Sequence, residues 1–186
     1  MTGRRFALVD RDGTINEEVD HLEDPDELVL IPGSAAALRR LRELGLGLVV
    51  VTNQAQIGRG LLTEERLTEI HVRLVAMLAA EGAEVDAILH CPHAPEDGCD
   101  CRKPGTRMAR DAAARFGFDP AEAFVVGDHA SDMGMGRSIG ATTCLVLTGH
   151  GVEERANAGD DADHVVADLA AAVDIIAASI GREATA

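Results

Sequence analysis

The sequence predicts an α/β fold of three layers, in which a doubly wound, mostly parallel sheet carries helices on both faces. Short apolar runs alternate with longer amphipathic stretches, which is the pattern of repeated βαβ units. The run at 46–51 is continuously apolar, as expected for a strand that is buried on both faces. The 186 residues contain no internal repeat and no low-complexity linker, so we predict a single domain over 1–186.

The individual elements follow from apolar spacing and from the residues that begin and end each run. Strands are predicted at 6–9, 46–51, 85–89, 123–126, 143–147 and 164–166. The first helix is predicted at 34–44, because Leu38, Leu41 and Leu44 lie at helical spacing and Gly45 follows. Later helices are predicted at 63–82, 106–116, 131–139 and 169–180, and a frayed tail at about 182–186.

Three of the four cysteines lie close together with a histidine, at Cys91, His93, Cys99 and Cys101. Three thiolates and one imidazole form the closed tetrahedral set that a structural Zn²⁺ prefers. We therefore predict a zinc loop at about 91–101, in which the metal shapes the loop and takes no part in the chemistry. The alternative is that these cysteines are merely buried or redox-active. Cys144 lies in an apolar run and is predicted to be a core residue.

The composition argues against several classes of partner. Acidic side chains outnumber basic ones by 32 to 17, and the formal net charge is −15. With no Trp, no Tyr and no basic stripe, the chain is not expected to bind nucleic acid. The apolar runs fall short of the ~20 residues that span a bilayer, and the N-terminal run is too short for a signal peptide. We therefore expect a cytoplasmic protein without membrane contact, and a monomer, since nothing indicates an obligate interface.

Two carboxylates, Asp10 and Asp12, follow the first strand. Side chains at positions i and i+2 of an extended segment point the same way, so both can face one ligand. Gly13 permits a sharp turn that brings backbone N–H groups towards an anion. Two carboxylates in one site push their pKa values apart, which predicts one ionised nucleophile and one protonated general acid.

Further polar residues follow the second strand and the cysteine loop. Thr52, Asn53 and Gln54 offer a hydroxyl and two amides that can bind phosphoryl oxygens without adding charge. Arg102 and Lys103 supply cations, which a protein of this charge needs in order to hold a phosphorylated substrate.

Another carboxylate, Asp128, follows the strand at 123–126 and lies beside Gly127. A carboxylate in such a place suits Mg²⁺, which binds through one or two carboxylates together with waters and substrate phosphate. Asp132 is predicted either to cap the next helix or to anchor Asp128 and Lys103 from behind.

Four groups of polar residues thus follow one another along the chain, at 10–12, 52–54, 102–103 and 128–132. In this order they resemble the motifs of the haloacid dehalogenase superfamily of aspartyl-phosphate phosphatases, and they extend over most of the fold. The resemblance implies that superfamily's Rossmann-like sheet and the hydrolysis of a phosphate monoester. It implies that Asp10 is the nucleophile and that Asp12 protonates the leaving alkoxide and then activates water. Thr52 and Lys103 would stabilise the transferring phosphoryl group. Asp10, the backbone carbonyl of Asp12, and Asp128 would hold a catalytic Mg²⁺.

More narrowly, the chain is similar to the histidinol-phosphate and heptose-bisphosphate phosphatases. That branch carries Asp-Arg-Asp-Gly-Thr, Thr-Asn-Gln and a zinc loop that ends in Cys-x-Cys-Arg-Lys-Pro, all of which are present. Its members lack a large cap domain, and this chain has no room for one. Asn16, the Asp20-His21 pair and the run to Gly58-Arg59-Gly60 are closer to the heptose enzymes. These remove the C7 phosphate of D-glycero-D-manno-heptose 1,7-bisphosphate.

The resemblance to the heptose subfamily also implies the substrate contacts. In that subfamily, the segment that matches residues 18–21 of this chain contacts the sugar. The arginine that matches Arg102, at the end of the zinc loop, recognises the second phosphate or its neighbourhood. The substrate-binding residues implied for this chain are Glu18, Val19, Asp20, His21, Thr52, Asn53, Gln54, Arg102 and Lys103.

One departure leaves the substrate open. The heptose enzymes usually continue Arg-Lys-Pro-x-Pro-Gly, whereas here Gly105 and Thr106 follow Pro104. This difference is nearer to the histidinol-phosphate phosphatases of histidine biosynthesis, which remain the alternative. A catalytically silent, zinc-stabilised binding protein is a further alternative. It would be expected to have lost Asp10, Asp12, Lys103 or Asp128, and all four are present. A phosphotransferase or mutase usually has a cap, for which this chain is too short.

Overall fold

Six parallel strands form one sheet in the computed structural model, which describes residues 4–19 and 21–183. The strands are β1 (Phe6–Val9), β2 (Gly47–Asn53), β3 (Ala87–Cys91), β4 (Phe124–Gly127), β5 (Thr142–Val146) and β6 (His164–Val166). Their order is β3-β2-β1-β4-β5-β6, so the chain winds outward from β1 to one edge and then returns to the other side of β1. The predicted doubly wound sheet is confirmed, and every strand lies within two residues of its predicted position.

Seven α-helices connect the strands within the described residues. They are α1 (Ser34–Glu43), α2 (Ala55–Gly58), α3 (Glu64–Ala80), α4 (Arg107–Phe116), α5 (Ala130–Ile139), α6 (Gly151–Ala158) and α7 (Leu169–Glu183). Short 3₁₀ helices lie at Pro25–Glu27, Pro95–Asp97, Pro120–Glu122 and Gly159–Asp161. Five α-helices match the predictions to within three residues. Helices α2 and α6 were not predicted. Helix α2 is a single turn, and α6 lacks the side-chain N-cap that usually marks the start of a helix in a sequence.

The C-terminal helix continues further than its apolar stripe suggested. Helix α7 reaches Glu183, where the sequence predicted an end near residue 180. The remainder of the predicted frayed tail, residues 184–186, lies outside the described residues.

Alternate residues of the central strand face two separate cores, as the two-residue period of a strand requires. Ala7 and Val9 face a core that is shared with α1, α3 and α7. Phe6 and Leu8 face a second core that is shared with α4 and α5. Helices therefore cover both faces of the sheet and complete the three predicted layers. Cys144 is buried in the first core, as predicted.

The carboxyl ends of β1, β2 and β4 lie side by side, because β1 pairs in parallel with both neighbours. Val9 is in register with Val50 on one side and with Val126 on the other. Residues that follow these three strands therefore emerge at one edge, where ligands bind in open parallel sheets. In the part of the chain that the structure describes, no second sheet stands over this edge. None of the helices described is both long and apolar enough to cross a membrane.

Candidate active site

A cleft of about 300 Å³ opens at the carboxyl ends of β1, β2 and β4. All four predicted motif groups line it, with Asp10, Asp12, Thr52, Asn53, Gln54, Arg102, Lys103, Asp128 and Asp132. Three predicted sugar contacts, Glu18, Val19 and His21, also line the cleft. The fourth, Asp20, lies outside the described residues. The structure therefore gathers the described candidates around one space that is large enough for a small ligand.

Lys103 lies at the base of the cleft between two carboxylates. Its Nζ is 2.6 Å from Asp10 Oδ1 and 2.7 Å from Asp132 Oδ1, and it donates to the carbonyl of Val51 at 2.7 Å. All three charged residues are buried, with exposures of 4% for Lys103, 8% for Asp10 and 0% for Asp132. Burial opposes the charge on Lys103, but the two carboxylates outweigh it and raise the pKa of Lys103 above its usual range. The ammonium group therefore stays charged.

Asp10, Asp128 and Asp132 form a cluster of oxygen ligands, since one carboxylate oxygen from each lies within 4.8 Å of the others. Burial raises the pKa of Asp10 to about 6, against the opposing charge of Lys103. Burial and the nearby charge of Asp10 raise the pKa of Asp128 to about 9. A single ammonium leaves this cluster with surplus negative charge. A hard divalent cation such as Mg²⁺ fits both the charge and the oxygen donors.

Two glycines allow the backbone to pack directly against the Asp128 carboxylate. Gly13 and Gly149 have φ values of 74° and 53°, in the left-handed region that favours glycine. A Cβ at either position would collide with the Asp128 carboxylate. The backbone N–H of His150 also donates to Asp128 Oδ2 at 2.8 Å. The sharp turn predicted at Gly13 is therefore present, and it permits this close approach.

Four N–H donors hold the carboxylate of Asp12. Arg11 donates twice, from Nε to Oδ1 at 3.0 Å and from Nη2 to Oδ2 at 2.8 Å. Asn16 Nδ2 donates to Oδ1 and Gln54 Nε2 to Oδ2, both at 2.9 Å. Burial favours the protonated carboxyl, but Arg11 and these hydrogen bonds outweigh it and lower the pKa of Asp12.

The lowered pKa of Asp12 bears on the protonation pattern that the sequence predicts for the pair. The prediction was an ionised nucleophile beside a protonated acid, whereas Asp12 is the more acidic of the two in this arrangement. The cause is Arg11, which lies between them in the sequence and pairs with both oxygens of Asp12 through the Nε–Nη2 edge of its guanidinium group. The side chain of Asp12 is held by these donors, and its backbone carbonyl is the group predicted to bind Mg²⁺.

The two amides after β2 have internal partners. Asn53 Nδ2 donates to the carbonyl of Lys103 at 3.2 Å, and Asn53 Oδ1 accepts from the Lys103 N–H at 3.0 Å. Gln54 Nε2 donates to Thr52 Oγ1 at 2.8 Å as well as to Asp12. Both amides line the cleft, but these bonds use them to hold its chemical groups in place. Since the oxygen of Thr52 accepts from Gln54, its hydroxyl proton remains to be donated to a ligand.

The predicted zinc ligands converge on one point. Cys91 Sγ lies 3.6 Å from Cys99 Sγ and 3.3 Å from Cys101 Sγ, and the latter two are 3.5 Å apart. His93 Nδ1 lies 3.6 Å from Cys91 Sγ and 3.2 Å from Cys101 Sγ. Edges of roughly 3.6–3.8 Å are expected around a tetrahedral Zn²⁺ with Zn–S bonds of about 2.3 Å. The donor set and its spacing therefore fit this metal, and none of these thiols forms a disulfide.

The loop at 91–101 is bonded directly to the cleft. The N–H of Gln54 donates to the carbonyl of Cys91 at 2.8 Å, and the N–H of Gly58 donates to the carbonyl of Pro92 at 2.7 Å. The N–H of Arg102 lies 3.4 Å from Cys99 Sγ, as a donor to that sulfur. This loop therefore positions α2 on one side and the Arg102-Lys103 pair on the other.

The mouth of the cleft carries more exposed charged groups. Burial and the charge of Asp12 raise the pKa of Glu18 to about 7, and His150 Nε2 lies 3.9 Å from Glu18 Oε1. Arg102 Nη1 is buried and has no hydrogen-bond partner among the described residues. Arg59 and His129 complete this part of the lining. A second anionic group of a ligand can therefore meet cations here.

Comparison with known proteins agrees with this geometry. D-glycero-beta-D-manno-heptose-1,7-bisphosphate 7-phosphatase of Bordetella bronchiseptica is 40% identical to this chain over 169 residues, which cover 90% of this chain and 94% of that protein. The chain belongs to the heptose-bisphosphate phosphatase family. The family member of the same name from Pseudomonas aeruginosa is 38% identical over 90% of this chain and 95% of that protein. The family model described as HAD-hydrolase-like matches residues 100–172.

Solved structures give the same result. The crystal structure of the heptose-bisphosphate phosphatase of B. bronchiseptica, complexed with magnesium and phosphate, matches with a TM-score of 0.87 and 38% identity. The match covers 94% of this chain and 99% of that one. A putative HAD-like phosphatase from Mesorhizobium loti matches with a TM-score of 0.81 and 28% identity, over 98% of this chain and 88% of that one. The predicted resemblance and fold class are confirmed.

Sequence reasoning missed several residues of the heptose-bisphosphate phosphatase cleft. It assigned no role to His129 or to His150, although Gly149-His150-Gly151 follows β5 at the same edge and so carried a signal. It gave His71 no part in the site, yet His71 Nε2 lies 3.1 Å from Arg11 Nη1 and burial lowers the pKa of His71 to about 3. No local pattern links Arg11 to a residue that lies 60 positions away.

Proposed function

We propose that this chain is a phosphoric monoester hydrolase that removes the C7 phosphate of D-glycero-D-manno-heptose 1,7-bisphosphate and releases heptose 1-phosphate. The observation that carries the chemistry is the buried Asp10 carboxylate, which lies 2.6 Å from Lys103 Nζ at the base of an open cleft. The substrate is supported by relatives that are similar to this chain over nearly their whole length and bear that name. Their names specify the β anomer.

The first half-reaction forms an aspartyl-phosphate. An oxygen of Asp10 attacks the phosphorus, the bond from phosphorus to the C7 oxygen breaks, and the electron pair leaves with that oxygen. Phosphoryl transfer needs chiefly positioning and charge neutralisation. Lys103 supplies a fixed positive charge at the attacking carboxylate, and the Thr52 hydroxyl donates to a phosphoryl oxygen. Asn53 fixes the backbone of Lys103 from both sides, so this cation is positioned before the substrate binds.

Asp12 handles the protons in both halves of the reaction. It protonates the departing C7 oxygen, then accepts a proton from the water that attacks the aspartyl-phosphate and releases inorganic phosphate. The four donors around Asp12 stabilise its carboxylate, which is the form that the second step requires. Proton delivery in the first step must therefore work against these contacts, most of all against Arg11.

Asp10, Asp128 and the backbone carbonyl of Asp12 would hold the catalytic Mg²⁺. When bound, the ion neutralises the crowded carboxylates and the charge of the transferring phosphoryl group. Its place is supported by the surplus negative charge of the carboxylate cluster and by the raised pKa of Asp128. Asp132 bonds to Lys103 Nζ and accepts the His129 N–H at 3.2 Å, so it orients Lys103 from behind.

Cys91, His93, Cys99 and Cys101 would hold a structural Zn²⁺. A closed set of four protein ligands leaves no open coordination position for substrate. The ion would instead fix the loop that ends in Arg102 and Lys103 and that receives the N–H groups of Gln54 and Gly58. Purified protein, kept reduced, should contain about one Zn²⁺ per chain by metal analysis. A reduced preparation without zinc contradicts this assignment.

The mouth of the cleft selects the substrate. Glu18, Val19 and His21 form one wall, where hydroxyls of a sugar can bond to polar groups. Arg102, whose buried Nη1 has no hydrogen-bond partner among the residues that the structure describes, binds the second phosphate. The enzyme works as a monomer in the cytoplasm, where its thiols stay reduced, and it binds no nucleic acid because of its charge of −15.

The deciding experiment compares phosphate release from two alkyl phosphates in the presence of Mg²⁺. The substrates are the heptose 1,7-bisphosphate, as each anomer, and L-histidinol phosphate, with Asp10→Asn as the blank. We expect kcat/KM for the β-heptose ester to exceed that for histidinol phosphate by 100-fold or more, or about 2.7 kcal/mol of transition-state binding. A preference of that size for histidinol phosphate would overturn the substrate and keep the chemistry. Turnover by Asp10→Asn would overturn the chemistry.

A further inference from the structure

Arg11 is the largest fully buried side chain of the described residues, and it lies between the two carboxylates of the first motif. It is 1% exposed. Two of its nitrogens, Nε and Nη2, bind the two oxygens of Asp12. The third, Nη1, lies 3.1 Å from Nε2 of His71, which projects from α3. Each guanidinium nitrogen therefore has a partner. Apart from Asp12, the partner is His71, which lies 60 positions away in the chain.

The direction of this hydrogen bond fixes the state of His71. Arginine has no acceptor, so Nη1 must donate and His71 Nε2 must accept. Acceptance at Nε2 requires a neutral imidazole with its proton on Nδ1. Burial and the charge of Arg11 lower the pKa of His71 to about 3, in agreement with a neutral ring at working pH. Any uncharged acceptor of similar reach could take the place of this ring.

We propose that His71 is a positioning residue for the acid–base carboxylate of Asp12 and that it acts through Arg11. The guanidinium group is planar, so an anchor at Nη1 sets the direction in which Nε and Nη2 present their protons. The carbonyl of Arg11 is held as well, by the N–H groups of Ile15 at 2.8 Å and of Asn16 at 3.1 Å. Arg11 is thus fixed at its backbone carbonyl and at Nη1, and the Nε–Nη2 edge of its guanidinium group holds Asp12.

The inference rests on the proposed role of Asp12 as acid and base. Without an acceptor at position 71, the buried Nη1 loses its partner and the guanidinium group turns to find another. Asp12 then moves with it, away from the leaving oxygen. An alkoxide needs this proton in order to leave, whereas p-nitrophenolate leaves without one. The loss should therefore depend on the leaving group, which a general weakening of the fold would not produce.

The test uses three variants of His71. His71→Gln has an amide oxygen that can reach the position of Nε2, His71→Asn has the same amide one carbon shorter, and His71→Leu has no acceptor. For each, kcat/KM is measured with the heptose bisphosphate and with p-nitrophenyl phosphate, because kcat/KM reports the steps up to aspartyl-phosphate formation. His164→Leu, on β6 and outside the cleft lining, is the matched control. Melting temperatures show that each variant is folded.

We expect His71→Leu and His71→Asn to lose about 30-fold or more on the heptose ester, within the range of general-acid contributions, and less than about 3-fold on p-nitrophenyl phosphate. His71→Gln should retain activity to within about 3-fold on both, and His164→Leu should match wild type. Equal losses on the two substrates, no loss, or failure of Gln to rescue overturns the inference. If wild type fails on the heptose ester but cleaves L-histidinol phosphate, the substrate proposal fails, and the same comparison with histidinol phosphate still decides the role of His71.

Discussion

The base and the mouth of the cleft are built differently. The base, formed by Asp10, Thr52, Lys103, Asp128 and Asp132, follows strand ends, is buried and is tied by bonds of 2.6–2.8 Å such as those of Lys103. The mouth carries more exposed groups, and its pair between His150 and Glu18 spans 3.9 Å. The base is preorganised for one chemical step, while the mouth can adjust to a substrate. Changes at the base should therefore lower kcat, and changes at the mouth should raise KM.

The largest effect is expected at the nucleophile. Asp10→Asn should lower kcat by about 10⁴-fold or more, because an amide cannot form the aspartyl-phosphate. Phosphate release under saturating substrate measures this. Asp174→Asn, which changes an exposed aspartate on α7, is the control and should leave kcat unchanged. Retention of even a tenth of the wild-type rate by Asp10→Asn would show that the base does not act through this carboxylate.

Lys103→Met should be the next largest and should affect both activity and stability. The phosphoryl group loses its fixed cation, so kcat should fall by about 10³-fold. Asp10 and Asp132 also lose their buried partner, which should cost about 3–5 kcal/mol of unfolding free energy in urea denaturation. In Arg40→Met the broken pair with Asp174 is exposed, so the cost should stay below about 1 kcal/mol. Similar costs for the two variants would contradict the tightly coupled base.

Loss of zinc should act on both regions at once. Cys101→Ser weakens the four-ligand set that fixes Arg102 and Lys103, so we expect about a 10²-fold lower kcat/KM together with a lower melting temperature. Cys144→Ser, in the core, is the matched control: it should lower the melting temperature but keep the zinc content and the kcat/KM. Metal analysis and steady-state kinetics separate the two. Full kcat/KM in zinc-free Cys101→Ser would show that the loop holds its shape unaided.

The base of the cleft was also the part that the sequence could predict. Residues at the base lie at the ends of buried strands, and a parallel sheet brings such ends to one edge, so local pattern could place Asp10, Thr52 and Asp128 together. Their roles came from the family resemblance. The convergence of Cys91, His93, Cys99 and Cys101 was predictable because all four donors lie within one short loop. In both cases the signal and the contact are close together in sequence.

The remaining features depend on contacts between distant segments. That Asn53 binds the backbone of Lys103, and that Arg11 binds both Asp12 and His71, depends on how loops and helices pack, which no spacing reveals. The lower pKa of Asp12 relative to Asp10 has the same origin. The sequence indicates two carboxylates in one site, but the contacts of Arg11 are what lower the pKa of Asp12.

At the mouth, the expected effect is smaller and falls on binding. Arg102→Gln should raise KM for the heptose bisphosphate by about 10-fold and change kcat by less than about 3-fold, since a phosphate contact away from the reacting atoms stabilises ground and transition states alike. Heptose 7-phosphate, which lacks the second phosphate, should show little change in KM. Arg110→Gln on α4, outside the cleft lining, is the control. A fall in kcat without a rise in KM would place Arg102 with the base instead.

The last prediction concerns stability against acid and leaves the kinetics aside, and it tests whether His71, a side chain from α3, is tied to the base. Because the pKa of His71 is about 3 in the folded protein and about 6.5 when unfolded, the unfolded chain binds more protons between these values. The stability of wild type should therefore fall as pH drops below about 6.5. Glutamine does not titrate, so His71→Gln should not lose stability in this way. Its free energy of unfolding relative to that of wild type should therefore be higher at pH 4.5 than at pH 7.5, by up to about 2–3 kcal/mol. Urea denaturation at the two pH values measures the gain, and a difference that does not change with pH would mean that His71 is protonated in the fold and cannot accept from Arg11.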